Sequence, residues 1–247
     1  MVNGALSIGG FAGVLLSGAF IFWEVGRYAA PQVPRSLFDE RKEVFAYTAG
    51  LFVGVPMAFL LILLSSAIAN GALIAALIDL VLLVVAIEAA QWLLTRSVYF
   101  GRTGSTPFYA LGFRAGIGGI LILGAVTAYL GGLTITAGGL VFVATEAVAL
   151  LAIQVNGALV SFPRPGEASG GPISGLAVGF VGMAVLGLGL AITGFTGAVA
   201  GLLVLAAMIP SYRRLRRRVL APIRPPSGGP TGEASPTADR PFGRTGP

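Results

Sequence analysis

The amino-acid sequence predicts an all-α, polytopic transmembrane bundle of seven spans, and three observations carry that prediction. Hydrophobic residues make up 55% of the 247-residue chain and charged residues 11%, where a soluble domain carries about 25% charged residues. Apolar runs long enough to cross a hydrocarbon core about 30 Å thick recur along it. Basic side chains fall in alternate connections between those runs, which sorts them onto one face of the bundle.

The first span covers residues 4–23 and ends before Glu24, Arg27 and the Pro31 to Pro34 stretch. No basic segment leads into it, so it is expected to stay as a span rather than be removed as a signal peptide. The second span covers residues 44–69. Ahead of it, Ser36-Leu37-Phe38-Asp39 reads as a capping box, with Ser36 accepting the first free backbone amides and the acid three residues on. Asp39, Glu40, Arg41, Lys42 and Glu43 would then form solvated first turns, and Pro56 is expected to kink the helix.

Asn70-Gly71 is a tight-turn signal, so the third span, residues 72–94, forms a hairpin with the second. The fourth is expected over 115–130, with Arg114 at its mouth snorkelling to the interface. Gly131-Gly132 turns the chain into a fifth span, 133–159. As a single helix the apolar stretch from Gly175 to Ile209 would be about 52 Å long at ~1.5 Å per residue, too much for one crossing. A break at Thr193-Gly194 divides it into spans at 175–192 and 195–209. Residues 1–220 therefore form the membrane domain. Residues 221–247 are rich in Pro, Gly, Ser and Thr with almost no apolar side chains, the composition of a disordered tail.

With seven spans, all sixteen Lys and Arg side chains lie on one side. Retention of basic loops in the cytoplasm then puts the N-terminus outside and the tail inside a cell membrane. Trp23, Tyr28, Trp92, Tyr99, Phe100, Tyr109 and Tyr212 fall near span ends on that side and read as interfacial anchors.

Whole classes of chemistry are excluded. The chain has no cysteine and no histidine, which removes disulfides, thiolate or imidazole metal sites and His-based acid–base catalysis. A retinal Schiff base would need a lysine in the last span, and the lysine of this chain is Lys42, in a connection. A Ser-His protease lacks its base, and an aspartyl intramembrane protease would need a second intramembrane aspartate beside Asp79. No phosphate-binding or dinucleotide fingerprint is present. No enzymatic activity and no cofactor are expected.

Among sixteen basic and ten acidic side chains, only Asp79, Glu88 and Glu146 fall within predicted spans. A charge at the bilayer centre costs about 2.5–3.5 kcal/mol on insertion scales, which makes each acid a candidate site. With no basic residue inside a span, they are expected to be protonated or held by water, a cation or nearby amides. Counted from the outer turns at ~1.5 Å per residue, Asp79 lies about 12 Å deep, Glu146 about 20 Å and Glu88 about 25 Å. Glu88 and Gln91 share one helix face while Asp79 points away from it. Glu88 is placed to meet Glu146 or Gln154 of the fifth span. Two uses compete: a proton or cation path, or polar contacts that hold the helices in register.

Arg213, Arg214, Arg216, Arg217 and Arg218 follow the last span. Beside an anionic leaflet each gains on the order of 1 kcal/mol, so lipid headgroups are the expected contact. The cluster also serves as an orientation signal, and nucleic acid is not expected with lipid as the nearer anionic partner. Small residues recur at spacing four: Gly9, Gly13 and Ser17; Gly171, Gly175 and Gly179; Gly197 and Gly201. This spacing suits close helix packing, with the first span the candidate face for a membrane-protein partner or a second copy. The expected role is a non-enzymatic scaffold, assembly or accessory subunit. The alternative is a small proton- or cation-linked transporter or channel using the buried carboxylates.

Overall fold

The computed structural model describes residues 2–28, 38–100, 105–130, 137–162, 172–192 and 194–219. The tail at 221–247 lies outside these residues, as does the capping position Ser36. Seven helices run through the described residues: α1 (Val2–Tyr28), α2 (Glu40–Ala69), α3 (Leu73–Arg96), α4 (Thr106–Leu130), α5 (Ala137–Val160), α6 (Pro172–Ile192) and α7 (Gly194–Val219). Of these α2, α3, α4, α5 and α7 are long and apolar enough to cross a membrane; the apolar described parts of α1 and α6 are Phe11–Gly26 and Ile173–Gly189. The protein is an all-α membrane helix bundle.

The turns follow from local chemistry. Gly71 adopts φ 70°, the left-handed region open to glycine at little steric cost. There the Ala72 amide reaches back to the Ala67 carbonyl at 2.9 Å, closing the end of α2 before α3 starts. The long apolar run is divided between α6, which ends at Ile192, and α7, which begins at Gly194. Helix α7 folds back on α6, where a Cβ at Gly189 would stand 3.1 Å from the Cβ of Ala200.

At the centre is α4, most of whose span is buried. It packs on α2 and α1 along one side and on α5 along another, while α6 and α7 complete the bundle against α5. Lipid offers no hydrophobic drive between helices, so backbones must approach closely to gain packing. The residues that allow this are glycines of α2 and α4. A Cβ added at Gly50 would collide with the Phe113 carbonyl, and one at Gly116 with the Tyr47 carbonyl. Gly54 sits against Ile120, and Gly124 against Ala58. On α1, Gly13 abuts the backbone of Gly119, so this position serves packing within the chain. Beside it Ser17 Oγ donates to the Gly13 carbonyl at 2.7 Å, and the Tyr47 hydroxyl donates to the Val14 carbonyl at 3.1 Å.

Three expectations are corrected. α2 is capped by Asp39, whose carboxylate accepts from the Arg41 amide at 2.9 Å. Glu43, expected in a solvated collar, is buried against Gly112 of α4. Phe100 and Tyr109, expected as interfacial anchors, are buried with Phe38 and Phe108 in a ring cluster with centroids 5.4–5.9 Å apart. The apolar collar buries what the sequence pattern assigns to headgroups. Trp23, Trp92 and Tyr99 do remain exposed.

A buried arginine node and a lateral cleft

The largest departure from expectation is Arg114. Helix α4 begins at Thr106, nine residues before the apolar window, so Arg114 lies more than two turns inside it. It is 2% exposed and does not snorkel. Its Nη2 pairs with Glu88 Oε1 of α3, Nε donates to Gln91 Oε1 of α3, and Nη1 donates to Gln154 Oε1 of α5 at 3.1 Å.

Further polar atoms of the node are engaged as well. Ser161 Oγ donates to the second Glu88 oxygen at 3.2 Å, and Gln91 Nε2 donates to the Ala158 carbonyl at 3.4 Å. Gly175 of α6 and Gly157 of α5 make the room: a Cβ at Gly175 would stand 2.6 Å from Glu88 Oε2, and one at Gly157 3.4 Å from the guanidinium. The fork of guanidinium donors suits this convergence of carboxylate and amide acceptors. Burying either charge alone costs several kcal/mol, whereas together they form a neutral, hydrogen-bonded unit.

Glu88, Gln91 and Gln154 thus meet around an arginine that the sequence pattern assigns to the interface. Glu146 is elsewhere. It is buried between α5, α6 and α7, with Gly201 and Gly189 against it: Cβ atoms there would stand 2.9 Å and 3.1 Å from Oε1. Neither oxygen has a hydrogen-bond partner among the described residues. The cavity it borders, with Ile122, Val126 and Phe142, holds about 10 Å³, room for one water at most. Asp79 is half-buried on the outer side of α3, beside exposed Ile78 and Leu82. Among the described residues no three acidic side chains converge as a metal site would require.

A second polar site joins α1 to α7. Glu24 is fully buried; the Tyr212 hydroxyl donates to its Oε1 at 2.6 Å and Arg216 Nε approaches Oε2 at 3.2 Å. The Arg216 guanidinium also lies 5.2 Å from the Trp23 ring centroid. Beneath this clasp, α1 and α7 part over α5 and leave a cleft of about 640 Å³. Its floor is Val148, Leu151, Ala152 and Val155, and Arg213, Arg216 and Arg217 line it at one end. Asn156 borders it too, donating to the Met208 carbonyl at 3.1 Å.

The chain matches no protein family, no curated protein and no solved structure. Sequence reasoning missed Arg114, Ser161, Glu24, Tyr212 and Asn156. The available signal for Arg114 is the helical phase of Glu88 and Gln91, which demands a donor on a facing helix. Glu24 and Tyr212 both sit at the end of an apolar run, where each reads as an ordinary boundary residue.

Proposed function

We propose that the protein is a non-enzymatic membrane scaffold or accessory subunit of the cell membrane, with an outside N-terminus, whose output is a rigid helix bundle presented to a membrane partner. The observation that carries this reading is the Arg114 node. Its charged and amide groups are spent on one another across α3, α4 and α5, which favours fixed helix register over a path for ions. Asp79 adds the partner. It is half-buried beside exposed Ile78 and Leu82, with no hydrogen bond or ion pair among the described residues, and a donor from another helix would relieve the cost of holding it in lipid.

A photo-crosslinking residue in place of Leu82 should form a discrete adduct in native membranes, and Asp79→Leu should abolish it. One in place of Phe59, exposed on α2, should give only lipid adducts. Equal adducts at both positions, or an adduct indifferent to Asp79→Leu, would remove the reading. An adduct of twice the protein's mass would make the partner a second copy.

The transport alternative draws on Glu146, a buried carboxyl without a hydrogen bond among the described residues. A pH- or cation-dependent flux in proteoliposomes that Glu146→Gln abolishes would establish it in place of the scaffold reading.

A further inference from the structure

The cleft between α1, α5 and α7 combines two chemistries along one axis. Its floor is aliphatic, and its volume of about 640 Å³ falls within the ~300–1,000 Å³ of ligand sites. At one end, Arg213, Arg216 and Arg217 face it from α7, their spacing of three and four placing them on one helical face. Arg214 and Arg218 do not line it. Among the described residues Glu24 is the acid at that end and is already engaged by Arg216 and Tyr212, which leaves the described rim with an excess of two positive charges.

We propose that this cleft binds an anionic phospholipid, with the phosphate between Arg213 and Arg217 and an acyl chain along Val148, Leu151 and Val155. A free phosphate would use the rim alone and leave the aliphatic floor uncovered. A neutral lipid or an apolar helix would leave the rim charges unmatched. A lipid standing in the bilayer satisfies both, since its headgroup and chain are separated in the same direction as the arginines and the floor.

The structure supplies a reporter. The chain has two tryptophans, and Trp23 borders the cleft. In a Trp92→Phe background, the full-length protein is reconstituted in phosphatidylcholine containing a minor fraction of brominated lipid, either brominated phosphatidylglycerol or brominated phosphatidylcholine. Brominated phosphatidylglycerol should quench Trp23 the more strongly at equal mole fraction. Arg213→Gln with Arg217→Gln should reduce that preference about 25-fold, the product of roughly 5-fold for each arginine beside an anionic headgroup. Arg214→Gln with Arg218→Gln makes the same change in net charge off the cleft and should leave most of the preference intact. Both pairs are exposed, so folding is not at issue, and unchanged circular dichroism checks it. Equal quenching by the two lipids, equal losses in the two double variants, or no quenching by either because a protein segment fills the cleft would each overturn the assignment.

Discussion

Replacing Arg114 with methionine removes a charge from the node but little volume. Among the described residues Glu88 would keep only the 3.2 Å bond from Ser161, and the carbonyl oxygens of Gln91 and Gln154 would lose the donors described above. Leaving one member of a buried ion pair unmatched costs about 3–5 kcal/mol, more than most single substitutions. Glu88→Met strands the guanidinium and should cost about the same. The double variant strands neither charge, so its loss should be smaller than that of either single variant.

A double-mutant cycle by equilibrium unfolding in mixed detergent micelles, followed by far-ultraviolet circular dichroism, measures this directly. The coupling between the two sites, the sum of the single losses less the double loss, should exceed one single loss. Additive losses in the double variant, or an Arg114→Met loss no greater than that of Arg218→Gln at the exposed end of α7, would refute the node as a stabilising unit.

Other outcomes follow from the same contacts. Gly116→Val and Gly50→Val push side chains into facing backbone and should each lose at least about 1–3 kcal/mol by the same unfolding measurement. Gly26→Ala has open space around it and should be neutral or gain up to about 1 kcal/mol. Tyr212→Phe deletes the 2.6 Å bond to Glu24 and should cost about 1.5–3 kcal/mol, the range for a hydrogen bond to a charged group. With no native cysteine to interfere, Asn70→Cys and Arg218→Cys should react with a membrane-impermeant maleimide from opposite sides of sealed vesicles. Labelling of both from one side would contradict the odd number of crossings.

The helix bundle is legible in the sequence because each span is a local property: length, hydropathy and the turn residues Asn70 and Gly71 suffice. The Thr193-Gly194 break is legible for a related reason, since one helix of that length does not fit a bilayer. What escapes is pairwise. Arg114 looks like a boundary residue when an apolar window is scored alone, because a charge lowers that score whether it faces headgroups or a carboxylate. Glu43 and Tyr109 mislead in the same way, their polar atoms hiding that Gly112 and the Phe38 ring bury them. Glu88 and Glu146 are separated because their partners are set by which helices touch, a fact no single helix contains. The glycines of α2 and α4 carry the needed spacing, but only contact with a neighbouring backbone distinguishes them from the many other glycines of this chain.

The placement of Arg114 has a consequence for biosynthesis. A chain made from its N-terminus completes the hairpin of α2 and α3 before α4 leaves the ribosome. Glu88 therefore enters the bilayer first and waits for its counter-charge, while an arginine arriving mid-helix is expensive to insert by itself. The hairpin acts as a docking berth, and α4 is received into the membrane by a carboxylate already lodged there. Cells carrying Glu88→Leu should accordingly accumulate chains in which α4 has failed to cross, detectable as misplaced tags downstream of Leu130.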